Sequence, residues 1–193
     1  MANRKKGFTL VELLIVIVVI GVLSAMMMLS STEAVSSAKA ADIVSNLRNW
    51  KTATLEWYTD NLDKVTPQGK VKDDNGNEQE FTKQVHAKDI LPYLGSGLKV
   101  DGNDVKDSSG GRYFTDYANH GTNSREWLIG YQLPVDDARV KEKLEARAET
   151  TGLLWKQGTQ TGSYTATHAN NVSAPAVFIS IIDFTKDLPN RQQ

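Results

Sequence analysis

The sequence predicts an α+β protein in which one long N-terminal helix packs against an antiparallel β-sheet head. Three observations carry that prediction. An uncharged run, Leu13 to Thr32, follows a short basic leader. From Glu33 to about Leu62 the chain has neither proline nor glycine. Beyond Leu62, short β-prone runs alternate with clusters of turn residues.

The apolar run comes first. At ~1.5 Å per residue it is long enough to cross a hydrocarbon core of ~30 Å. Glu12 stands immediately before it, and an acid at the edge of such a segment is costly unless it has a partner. Arg4, Lys5 and Lys6 lie in the leader, residues 1–7. Their charge predicts a cytoplasmic N-terminus, with the bulk of the chain across the membrane. An ordinary cleaved signal has an apolar core of about 7–15 residues. This run is longer, and such a signal has no use for Glu12. Small-residue sites for conventional cleavage do occur at Ala34-Val35-Ser36 and Ala38-Lys39-Ala40.

Helical character continues past the membrane edge. Ile43, Leu47, Trp50, Thr54 and Trp57 recur at spacings of four and three, and Val44 and Tyr58 widen the stripe. That period marks an amphipathic helix. One nearly continuous helix is therefore predicted from Phe8 to about Asn61, roughly 80 Å long at 1.5 Å per residue. Residues 8–32 are apolar all round, and residues 33–62 are apolar on one face. Trp50 and Trp57 are read as core anchors where the head, residues 63–193, clasps the helix.

Pro67 and Gly69 break the helix. Asn75-Gly76 between two polar segments predicts a two-residue hairpin with both positions at positive φ. Ala87 to Leu94 is read as a short helix interrupted at Pro92, and Gly95 to Gly111 as a loop. Arg112–Tyr117 and Glu126–Leu133 are predicted strands, with Trp127, Ile129 and Tyr131 sharing one face. Asp136 to Ala148 reads as a charged helix whose first acids, Asp136 and Asp137, suit the helix dipole. Gly152 stops it, Leu153–Trp155 is a short strand, and Ala176–Phe184 is the most β-prone run, read as a central strand.

Lys5-Lys6-Gly7-Phe8-Thr9-Leu10-Val11-Glu12-Leu13-Leu14, running into an apolar helix, resembles the type IV prepilin signature shared by type IV pilins and the pseudopilins of type II secretion and competence. The matching block covers roughly residues 5–27. The resemblance implies cleavage by a prepilin peptidase between Gly7 and Phe8 and methylation of the new amine on Phe8. It also implies a register role in assembly for Glu12, and a filament core built from Phe8, Leu13, Leu14, Ile15, Ile17, Ile20, Gly21 and Leu23. The implied subunit is lollipop-shaped, leaves the inner membrane through an assembly platform, and packs with other copies and related pilins into a pilus or a periplasmic pseudopilus. Two departures stand out. Many members carry a proline late in the run, where this chain has Leu29, so Gly21 is the only weak helix former left inside it. Many also close a C-terminal loop with a disulfide, and this chain has no cysteine.

Composition narrows the remaining classes. The 193 residues include 22 basic and 23 acidic ones, a net charge of −1. Without Arg4, Lys5 and Lys6 the 22 basic residues fall to 19, a net of −4. That balance gives no general attraction for nucleic acid. Tyr113, Tyr117 and Tyr164 offer stacking faces only if exposed, and core packing is the better reading. No thiol chemistry is open to a chain without cysteine. His86, His120 and His168 are isolated, and no nucleophile elbow occurs, so an enzyme is not expected and no cofactor is implied. Asp101, Asp104 and Asp107 gather carboxylates as calcium would want, but without EF-hand spacing or the pseudopilin calcium-loop motif. A solvated turn is the better explanation. The missing calcium motif tilts the reading towards a pilus subunit over a secretion pseudopilin.

Overall fold

A computed structural model describes residues 8–95, 98–119, 125–134, 137–155 and 176–184. Helix α1 runs unbroken through Leu10–Asp60, roughly 77 Å at 1.5 Å per residue. The head contains strands β1 (Val71–Lys72) and β2 (Glu78–Gln79) and the short helices α2 (Phe81–Gln84) and α3 (Ala87–Leu94). Strands β3 (Lys99–Asp101), β4 (Asp104–Lys106), β5 (Arg112–Asn119) and β6 (Arg125–Gln132) follow. Helix α4 (Ala138–Thr151) then precedes β7 (Leu153–Trp155) and β8 (Ala176–Asp183). The main sheet is antiparallel throughout, in the order β3-β4-β5-β6-β8-β7. The fold is the α+β arrangement that the sequence predicts.

The predicted stripe on α1 is the side that the head covers. Ala40, Ile43, Val44, Leu47, Trp50, Ala53 and Thr54 are buried, and Trp57 and Tyr58 pack against the same core. The sheet answers with Tyr113, Trp127, Ile129 and Tyr131. Tyr113 faces Tyr131 across β5 and β6, and Trp50 stacks on Tyr113 with ring centroids 5.2 Å apart. Trp127 is wholly buried. It stacks on Phe81 at 4.1 Å, and its Nε1 donates to the Gly69 carbonyl at 2.7 Å. The even-numbered positions of β6 point the other way, where Leu128 joins Phe114, Ala118, Ala176 and Phe178 in a second buried cluster.

Four local predictions need correction. The Asn75-Gly76 hairpin is wider than a two-residue turn. The Gly76 N–H donates to the Asp73 carbonyl, and Gly76 adopts the left-handed backbone there, at φ 82. The Asp73 carboxylate organises the loop by accepting the N–H groups of Asn75 and Asn77 at 2.9 and 2.8 Å, a competition that short polar side chains win in turns. Gly95–Gly111 is more than a loop, because β3 and β4 pair within it across Gly102-Asn103. Gly102 has φ 66, and a Gly-Asn pair is itself a hairpin signal. Pro92 lies inside α3 without interrupting it; in so short a helix it forfeits a single backbone bond. Helix α4 begins at Ala138, with Asp137 as its N-cap and no side-chain cap bond. Asp137 is drawn instead to Lys39 on α1, and Asp136 lies outside the described residues.

Candidate functional site

The candidate site is built by the first turn of α1. Thr9 has extended backbone, φ −81 and ψ 151, and caps the helix. The Thr9 N–H and hydroxyl each donate to Glu12 Oε2 at 2.8 Å, and the Glu12 N–H donates to Thr9 Oγ1 at 3.2 Å. This reciprocal arrangement satisfies two of the backbone donors that a helix start leaves open. It also gives the edge carboxylate a partner within its own chain. Thr9 is absent from the predicted site, although a threonine three residues before a glutamate, ahead of an apolar run, is its signal. Phe8 is 85% exposed at the very start of the described chain. Gly7, Arg4, Lys5 and Lys6 lie outside the described residues.

From Leu10 to Met28 every side chain of α1 is exposed, and none is covered by the head. Leu13, Leu14, Ile15, Ile17, Ile20 and Leu23 are all more than half exposed, and a Cβ added at Gly21 would meet nothing within 4 Å. Apolar surface on all sides of a helix belongs in lipid or against other helices. By length and composition, this is a helix able to cross a membrane.

Where α1 leaves the apolar run, α4 braces it. The Lys143 ammonium donates to Glu33 at 2.8 Å, the Arg147 guanidinium to the Ser37 hydroxyl at 2.9 Å, and Lys39 to Asp137 at 3.2 Å. The Lys143 hydrogen bond and charge hold the Glu33 carboxyl below its usual range. Val140 and Leu144 on the same helix are buried in the main core. Polar contacts and apolar packing together fix the head to the helix just past Thr32.

The three candidate calcium ligands are engaged elsewhere. Asp101 meets Lys106 at 2.8 Å and Arg112 at 2.7 Å, and Arg112 also approaches Asp104 at 3.6 Å. Asp107 accepts the N–H groups of Ser109 and Gly111 and the Ser109 hydroxyl, and Tyr131 donates to it at 2.7 Å. Two of them thus sit in an ion-pair cluster and the third closes its own turn. Among the described residues no group of His, Asp and Glu side chains converges for a metal.

The remaining sequence candidates separate in the same way. His86 caps α3, with Nδ1 3.2 Å from Asp89. Tyr113 and Tyr117 are buried, so neither presents a face to a base. His120, His168 and Tyr164 lie outside the described residues.

Residues 2–28 match the family model of the prokaryotic N-terminal methylation motif, the signature of type IV pilins and pseudopilins. The motif supports a type IV pilin- or pseudopilin-like precursor, and it implies processing by a prepilin peptidase and assembly into pilin-type filaments. Together with the apolar helix it fits a membrane-anchored precursor. No curated protein and no solved structure matches the chain at a significant level.

Proposed function

We propose that this chain is a structural subunit of a type IV pilus-like filament, held in the inner membrane by its N-terminal helix and then polymerised. The observation that supports this most directly is the contrast along α1. Its first half is apolar and bare, its second half buries one face in the head, and a methylation motif spans the bare half. Cleavage between Gly7 and Phe8 frees an amine on Phe8, which the peptidase then methylates. Arg4, Lys5 and Lys6 keep this end in the cytoplasm until the leader is removed.

Assembly then replaces lipid with neighbouring helices around Leu13, Leu14, Ile15, Ile17, Ile20, Gly21 and Leu23. In that low-dielectric setting an uncompensated Glu12 costs several kcal/mol. The freed amine of one subunit pairs with Glu12 of the next, so packing out of register is penalised. Thr9 holds Glu12 until that exchange. The polymer needs no metal or cofactor in this reading, and its partners are the peptidase, the assembly platform, the bilayer and other copies.

Expression in a host with an active pilus assembly system, followed by electron microscopy, tests the proposal. Long surface fibres containing this chain are expected. Short rods confined to the periplasm would reassign it to a secretion pseudopilus, and no filament at all would contradict both.

A further inference from the structure

We propose that the cleft where α4 meets the membrane end of α1 seats a phospholipid headgroup carrying both signs of charge, phosphoethanolamine in type. The inference rests on reading Leu13–Thr32 as the membrane-spanning segment. The cleft measures about 200 Å³ and is lined by Thr32, Glu33, Ser36, Arg139, Glu142 and Lys143. Thr32 ends the uncharged run and Glu33 is the first charge beyond it, so the cleft lies at the depth where headgroups begin. Its volume is below the ~300–1,000 Å³ of sites for drug-sized ligands, yet suits a compact headgroup.

The charges in the cleft divide into two pairs. Glu33 and Lys143 satisfy each other at 2.8 Å, an internal brace that fixes α4 in place. Arg139 and Glu142 are both exposed, lie three residues apart on one helix, and form no ion pair with each other among the described residues. Arg139 also acts by charge on Glu33, and Glu142 on Lys143, and their exposed side chains are the cation and carboxylate outside the brace that can meet the bilayer. A guanidinium presents several fixed N–H donors to phosphate oxygens, and a carboxylate can accept from a primary ammonium. A choline headgroup has the same phosphate but no N–H to donate. A purely anionic headgroup leaves Glu142 facing like charge. The two-sign pattern therefore selects phosphate on Arg139 with ammonium on Glu142. Ordering the head on the outer leaflet this way holds the subunit upright before it polymerises.

Hydrogen exchange along α4, measured on the full chain in lipid nanodiscs, tests this. Discs of phosphatidylcholine alone are compared with discs containing phosphatidylethanolamine or phosphatidylglycerol. Phosphatidylethanolamine is expected to slow α4 exchange about three-fold relative to phosphatidylcholine, the scale of an exposed ion pair. Arg139→Glu and Glu142→Lys should each remove the slowing, whereas Arg48→Glu, an exposed cation farther along α1, should not. Equal rates in phosphatidylethanolamine and phosphatidylcholine discs would overturn the site. So would a stronger effect of phosphatidylglycerol, or slowing produced by inorganic phosphate in lipid-free detergent. Slowing that grows with the number of chains per disc would assign the surface to a second copy instead. Release of the chain from membranes by alkaline extraction would contradict the membrane reading itself, whatever α4 does.

Discussion

Thr9 and Glu12 satisfy one another at the head of a 51-residue helix, with two donors on Thr9 converging on a single carboxylate oxygen at 2.8 Å. The carboxylate to which the proposed function gives the register role is therefore already occupied in the isolated subunit. On that proposal, assembly exchanges the internal partner for an external one.

Glu12→Ala and Glu12→Leu are expected to insert into membranes as the parent does and to yield few or no filaments. Alkaline extraction reads the first property, and filament counts in electron micrographs read the second. Normal filaments from either variant would remove Glu12 from the assembly mechanism.

Thr9→Val removes the hydroxyl of the cap while keeping its shape. Loss of such a cap costs about 1 kcal/mol of helix stability. Faster amide exchange over Leu10–Leu13 in micelles is the expected result, with no change in the melting of the head. Unchanged exchange there would show that the Thr9 hydroxyl does not hold this turn.

Much of this was legible in the primary structure, and the reasons differ by element. Spacings of four and three from Ile43 to Trp57 named the buried face of α1, because a period of 3.6 residues is set by the backbone alone. Alternation in Trp127, Ile129 and Tyr131 named a sheet face for the same kind of reason. In the polar stretch before Gly111 the β3–β4 hairpin is signalled by Gly102-Asn103 alone. Its strands have three residues each, too few for an alternation to show. The width of the Asn75-Gly76 turn is not legible in that pair, because Asp73, a side chain outside it, decides the width. The brace between α4 and Glu33 joins residues 110 apart in sequence, and no local pattern announces such a contact.

Close packing of the second sheet face gives a sharp stability test. A Cβ at Gly130 would stand 2.4 Å from Phe114 and 2.8 Å from Phe178, whose rings meet edge to face at 5.6 Å. Gly130→Ala is expected to destabilise the head by about 1–3 kcal/mol, the usual range for overpacking. Urea denaturation followed by tryptophan fluorescence measures it, and an unchanged midpoint would contradict the packing described.

Glu80 and Arg125 form a two-pronged ion pair, with donor–acceptor distances of 2.8 and 2.9 Å. The Arg125 hydrogen bond holds the Glu80 carboxyl below its ordinary 4.5. A carboxyl depressed in the folded state stabilises the fold above the unfolded value and loses that contribution as pH falls through the folded value. The melting temperature of the parent should therefore fall as pH drops from about 5 towards 3. Arg125→Met should melt lower at neutral pH and show a shallower acid decline. Parallel curves for the two proteins would rule out this pair as a source of the acid sensitivity.

Calcium is expected to leave the head unchanged, because Asp101 is held by Lys106 and Arg112 and Asp107 by its own turn and Tyr131. Calorimetric titration with calcium should give no binding heat and thermal melts no shift. A saturable heat that Asp104→Ala abolishes would restore the metal reading.

The intact mass of the chain purified from cells with an active prepilin peptidase tests the central claim most directly. A mass lacking residues 1–7 and carrying one added methyl group on Phe8 is the predicted result. A chain that keeps its leader in those cells would contradict the account, leaving a membrane-tethered α+β domain with no route into a filament.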